Sequence, residues 1–224
     1  MIDLVGKNIL LFFSDSDASG SFETEMVVDL LIEAYKEIKA KDDAFEVIHI
    51  LDEGFAFDHL FLRVPWLGLP RGDRRIHHAQ LAFQIQKLVD YPAMIALGPN
   101  GHLITRKAKD LILLYGADAY PFTDEHIIEV EAQNEEMAMD WPRKLKHGLH
   151  GNYDLVLQNI MLYSCKECTF GGVLWTYCCQ GCNSKYHPNC ALGKDVGAQK
   201  CELPCEYYFS SPKAERPCIM DDQT

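Results

Sequence analysis

The chain has 224 residues, 48% of them hydrophobic, and a formal net charge of −12 from 33 acidic against 21 basic residues. Its length and apolar content suit one average domain plus a small one. The acidic balance argues against binding to a nucleic-acid backbone or to anionic lipid, and no apolar run approaches the roughly 20 residues of a membrane-spanning helix.

The first third reads as alternating strands and helices. Asn8 to Ser14 is a continuous apolar run, the pattern of a strand buried on both faces. Asp15 to Ser21 is small and polar, a loop in which Asp15 and Asp17 read as loop or capping residues. Phe22 to Ala40 repeats apolar residues at helical spacing, from Met26 and Val27 to Ile38. Phe45 to Leu51 is a second buried strand, Phe55 to Val64 a helix, and Pro65 to Pro70 an apolar segment bounded by prolines.

Arg74 to Leu88 is a further predicted helix, with His77 and His78 on its surface. Tyr91-Pro92 leads into a third strand, Ala93 to Leu97. Pro99-Asn100-Gly101 is a tight turn, and His102 to Thr105 returns as a hairpin strand. Ala108 to Tyr115 is helical and ends near Gly116. Thr123 caps a long acidic helix that runs towards Trp141 and is closed by Pro142. This order predicts an α/β domain with a mixed sheet over residues 1–142, then a basic linker over 143–152.

All nine cysteines lie at or after Cys165. Cys165-x2-Cys168 is followed after ten residues by Cys179-x2-Cys182, and then by His187-x2-Cys190. A Cys-x2-Cys pair lets one turn present two thiolates to the same ion. Six such ligands exceed the four of a tetrahedral zinc, which points to one closed site and part of a second. Disulfides would need an oxidising compartment. The N-terminus shows no basic start, apolar core and small-residue cleavage site, so the expected compartment is cytoplasmic or nuclear and metal is favoured. Residues 153–205 are therefore predicted to be a small zinc domain, with a disordered tail over 206–224. A four-ligand site leaves no position for water, so its zinc would be structural.

Several stretches carry a family resemblance: Pro65 to Pro70, Gly98 to Gly101, Tyr115 to Thr123, Asp140-Trp141-Pro142 and Lys146-His147. Together with the cysteine cluster, they make the chain resemble the plant nucleoredoxins, specifically a last thioredoxin-like module and the cysteine/histidine-rich zinc domain that follows it. The resemblance implies a thioredoxin fold and disulfide reduction through a cysteine pair between the first strand and the first long helix. The matching positions here are Ala18 and Ser21, so neither cysteine is present. A serine hydroxyl forms no disulfide and is scarcely ionised at neutral pH. Pro92 matches the fold's cis-proline. The plainer reading is that it completes the fold; the alternative is a strand-like edge offered to an extended polypeptide.

In the related diacylglycerol-binding modules the ligands interleave. Carried over, that pattern assigns Cys165, Cys168, His187 and Cys190 to one complete zinc site. Cys179 and Cys182 form half of a second. The early histidine of that second site matches Tyr153, with His150 as a substitute, and the late cysteine would be Cys201 or Cys205. The apolar stretch Phe170 to Trp175 lacks flanking cations, so membrane binding is not expected. Two functions follow: a non-catalytic, zinc-stabilised module that binds protein clients, or a working protein-disulfide reductase that uses the remaining cysteines.

Overall fold

A computed structural model describes residues 4–14, 22–51, 63–70, 72–85, 91–146, 153–169 and 171–193. The expectations for the loop 15–21, most of the helix 55–64, His150, Cys201, Cys205 and the tail lie outside the described residues. The chain divides into two compact units, Met1–Glu131 and Ala132–Thr224.

The first unit is built on a five-stranded sheet of order β3-β2-β1-β4-β5. Its strands are β1 (Asn8–Ser14), β2 (Phe45–Leu51), β3 (Leu67–Gly68), β4 (Ala93–Leu97) and β5 (Leu103–Thr105). β1 pairs parallel with β2 and antiparallel with β4, while β3 is parallel to β2 and β5 antiparallel to β4. β1 thus has a neighbour on each side, and with helices over both faces of the sheet its sequence is a continuous apolar run. The hairpin between β4 and β5 turns at Gly101, whose φ of +75° is the left-handed region that suits glycine.

Helices cover both faces. Ile76 and Ala79 of α2 (Arg74–Ala82) pack on Phe13, Ile48, Ile50 and Ile95. On the other face, Tyr35 of α1 (Phe22–Lys41) meets Phe45 and Trp66, and Trp66 meets Phe12 edge-on. A mixed sheet of this order, with Tyr91-Pro92 cis just before β4, is the thioredoxin-like α/β fold. α2 is shorter than predicted: Gln84 adopts φ +53° and ends the helix.

The stretch Tyr115 to Thr123 connects α3 (Ala108–Tyr115) to α4 (Asp124–Met139). Its conspicuous residues are packing residues. Ala117 and Ala119 are buried, and the rings of Tyr120 and Phe122 surround Phe45. The Tyr120 hydroxyl donates to Asp42 and accepts from the Asn8 side-chain amide at 2.6 Å. These bonds tie the start of β1, the α1–β2 turn and the α3–α4 connection together.

The second unit carries a four-stranded antiparallel sheet, β6-β7-β8-β9, formed by β6 (Lys144–Lys146), β7 (Asp154–Ser164), β8 (Gly171–Cys179) and β9 (Lys185–Tyr186). One turn, α5 (Pro188–Ala191), follows. Its core is Leu155, Leu157, Cys165, Tyr177, Cys179 and Tyr186, with Trp141 and Leu145 packed against it.

Part of the predicted linker is therefore strand. Lys144–Lys146 pairs with Asp154 to Val156, and Leu145 turns inward between two exposed lysines. The alternation is too short and too basic to read as a strand from sequence. Trp141 and Pro142 also serve this unit, since the Tyr177 hydroxyl donates to the Pro142 carbonyl at 2.6 Å. Among the described residues, no helix is long and apolar enough to cross a membrane.

Candidate metal centre

Cys165 and Cys168 lie at the turn that leaves β7, while His187 and Cys190 lie where β9 passes into α5. The folding of the sheet brings these two distant segments together. The Sγ atoms of the three cysteines and a ring nitrogen of His187 all lie within 4.8 Å of one another. His187 Nδ1 is 3.3 Å from Cys168 Sγ and 3.8 Å from Cys190 Sγ. Four ligands at about 2.0–2.3 Å from one ion would stand about 3.3–3.8 Å apart, so the spacing fits.

The surroundings fit as well. His187 Nε2 lies 3.0 Å from the Gly171 carbonyl. A carbonyl can only accept, so Nε2 carries the proton and Nδ1 presents its lone pair to the thiols. The His187 ring also packs on Tyr163 at 5.3 Å, and the Tyr163 hydroxyl donates to the Trp175 carbonyl at 2.7 Å. Gly172 makes room for both rings: a Cβ there would stand 2.4 Å from Tyr163 and 2.6 Å from His187 Nε2.

The electrostatics favour a cation. Burial resists ionisation of Cys165, yet hydrogen bonding, with the backbone N–H groups of Cys168 and His187 donating to its sulfur, outweighs it and holds the thiol below its usual range. Burial, together with the neighbouring Cys165 and Cys168, pushes Cys190 up. Thiolate charge accumulates here only with difficulty, and a divalent ion would neutralise it. With four protein ligands converging, such an ion would be held as a structural centre by Cys165, Cys168, His187 and Cys190.

Among the described residues, that quartet alone gathers metal-ligating groups in this way. Cys179 is buried in the core of the unit, and Cys182 Sγ lies 3.1 Å from Ser184 Oγ. Tyr153, at the position the resemblance gives to the early histidine, lays its ring on Gly181 between these two cysteines: a Cβ at Gly181 would meet it at 2.6 Å. The proposed completing ligands, His150 and Cys201, lie outside the described residues.

In the first unit, Ala18 and Ser21 lie outside the described residues, and Pro92 is cis and buried. The structure also brings together a pair that sequence spacing did not suggest. Ser14 Oγ lies 2.7 Å from His49 Nε2. Both residues are fully buried, and the His49 ring stacks on Phe12 at 4.7 Å. Burial holds the imidazole down at about 3, so it stays neutral and takes no part in surface chemistry.

His49 should instead set a pH limit on stability. A histidine with a depressed folded-state pKa has no effect above its unfolded value of about 6.5 and destabilises progressively below it. Between pH 7.5 and 5.5 it should remove about 1.4 kcal/mol, because the unfolded chain gains a proton that the folded chain refuses. Urea unfolding at the two pH values measures this loss. His49→Gln should flatten the dependence by that amount, and an unchanged slope would assign the effect elsewhere.

No family model matches the chain. It is 40% identical over 196 residues to "Probable nucleoredoxin 1" of Arabidopsis thaliana, covering 87% of this chain and 33% of that one. It is 31% identical over 190 residues to "Probable nucleoredoxin 3" of the same plant, covering 84% and 47%. The chain thus spans between a third and a half of the length of these curated relatives. Human nucleoredoxin is 27% identical over 144 residues, covering 62% of this chain. Among solved structures, tryparedoxin II of C. fasciculata aligns over 55% of this chain and 84% of its own, with 25% identity and a TM-score of 0.48.

Proposed function

Because the chain is a homologue of the plant nucleoredoxins over most of its length, we propose that it derives from a thiol-disulfide oxidoreductase and has exchanged catalysis for protein binding. On this reading it is a thioredoxin-like, zinc-stabilised interaction module of the cytoplasm or nucleus. One observation carries the proposal: no cysteine precedes Cys165, and the positions matched to the family's cysteine pair are Ala18 and Ser21. Disulfide exchange needs one thiolate to attack and a second thiol to resolve the mixed disulfide. The cysteines gathered at the second unit's cluster are the ligands of the proposed zinc, which supplies folding energy there and no open position for substrate.

Insulin-disulfide reduction by the metal-loaded chain, with a dithiol as electron donor, tests the reading. The expected rate is that of the control without protein. Turnover above that rate would make the chain a working reductase. An Ala18→Cys/Ser21→Cys variant is expected to gain activity, since the sheet of the thioredoxin-like fold is in place.

A further inference from the structure

The cysteines of the candidate metal centre differ in how far solvent reaches them. Cys165 is 1% exposed and packs among Leu155, Leu157, Tyr177 and Tyr186. Its sulfur also accepts from the His187 backbone N–H at 3.4 Å. Cys168 and Cys190 are only half-buried. Both stand beside the His187 ring, 3.3 and 3.8 Å from Nδ1, and their sulfurs lie within 4.8 Å of each other. A disulfide joins two sulfurs at about 2.05 Å, so this pair has a short distance to close once no ion stands between them.

The backbone around the pair can make that move. Cys190 sits on α5, a single helical turn. Cys168 precedes Thr169, whose φ is +65°, a region that a β-branched residue adopts only under strain. Cys165, by contrast, is fixed by the core around it. The two sulfurs that solvent reaches are thus also the two whose segments can shift.

We propose that Cys168 and Cys190 form a redox switch in the second unit: a hydroperoxide converts their thiolates to a disulfide, and the metal centre is dismantled. One sulfur attacks the O–O bond, becomes a sulfenic acid and expels hydroxide or alkoxide; the second thiolate attacks that sulfur, forms the S–S bond and expels hydroxide. Two electrons pass from the thiolates to the broken O–O bond, and solvent protonates the two anions that leave. Cys165 and His187 remain, two ligands where a closed tetrahedral site has four. The disulfide ties the same two segments but stabilises less than a structural zinc does, so the second unit loosens. The inference rests on the reading of the chain as a zinc-stabilised module and adds that oxidants set whether that module is folded.

Hydrogen peroxide added to the full zinc-loaded chain tests it, in the presence of a chromophoric chelator too weak to strip the reduced protein. The chelator should report zinc release as the near-UV signal falls. Mass mapping of alkylated peptides should find Cys168 joined to Cys190 and Cys165 as a free thiol. A dithiol with added zinc should restore the folded signal. Cys190→His keeps four ligands without the second thiol, and it should hold its zinc at peroxide levels that empty the wild type. Peptide mapping of the wild type decides the matter even where this variant takes up no zinc. Zinc retained under peroxide, release without a disulfide, a disulfide that includes Cys165, or equal release from Cys190→His would overturn the switch alone. A wild-type chain that binds no zinc at all would overturn both the switch and the zinc-stabilised reading beneath it.

Discussion

Stripping the metal from the second unit should unfold it while the first unit keeps its structure. The four ligands come from two segments separated in sequence by β8 and β9, Cys165 with Cys168 and His187 with Cys190, and all four ligand atoms lie within 4.8 Å of one another. Cys165 is itself part of the core, beside Leu155, Leu157, Tyr177 and Tyr186. That core is small. A structural zinc contributes an apparent 10–16 kcal/mol in zinc-finger peptides, as large as the roughly 5–15 kcal/mol net stability of a whole domain. A strong chelator, or Cys165→Ser, should therefore abolish the near-UV signal of Trp141, Trp175 and Tyr177, and added zinc should restore it to the chelated wild type. Elemental analysis should find at least one zinc per chain. A second unit that stays folded after its metal is removed would refute the structural role.

Gly172→Ala should cost about 1–3 kcal/mol of stability as overpacking and weaken metal binding roughly 10–100-fold, as loss of a ligand's supporting contacts does. The added methyl would stand 2.4 Å from the Tyr163 ring and 2.6 Å from His187 Nε2. Neither ring yields cheaply. Tyr163 is buried and bonded to the Trp175 carbonyl, and His187 is bonded to the Gly171 carbonyl. Gly181→Ala is the informative comparison. Its methyl would meet the Tyr153 ring at 2.6 Å, but Tyr153 is 41% exposed and can swing outward. Competition against a chromophoric chelator should show the quartet's affinity falling in Gly172→Ala and unchanged in Gly181→Ala. Equal affinities in Gly172→Ala and the wild type would show that His187 needs no such clearance.

Much of the candidate site was legible because metal ligation is written in spacing. Cys-x2-Cys and His-x2-Cys each place two ligands on one turn, and the resemblance assigned the pairing of Cys165 and Cys168 with His187 and Cys190 that the structure brings together. The supporting contacts were not legible. Gly172 faces Tyr163 across the β7–β8 ladder, and its role depends on a cross-strand register that no local pattern records. The Ser14–His49 bond joins residues 35 positions apart on neighbouring strands, so no sequence spacing marks it. The basic stretch after Pro142 read as a linker because Leu145 is a single apolar residue between lysines, and only its packing on the second core makes it a strand.

The sequence alone determined the alternation of strands and helices, the clustering of every cysteine beyond residue 164, and the absence of sulfur at positions 18 and 21. Each of these depends on local residue type and spacing. Only the tertiary structure decided which histidine nitrogen faces the thiols and which glycine clears their space. Those facts arise from the register of strands and the meeting of distant turns, and long-range packing sets both.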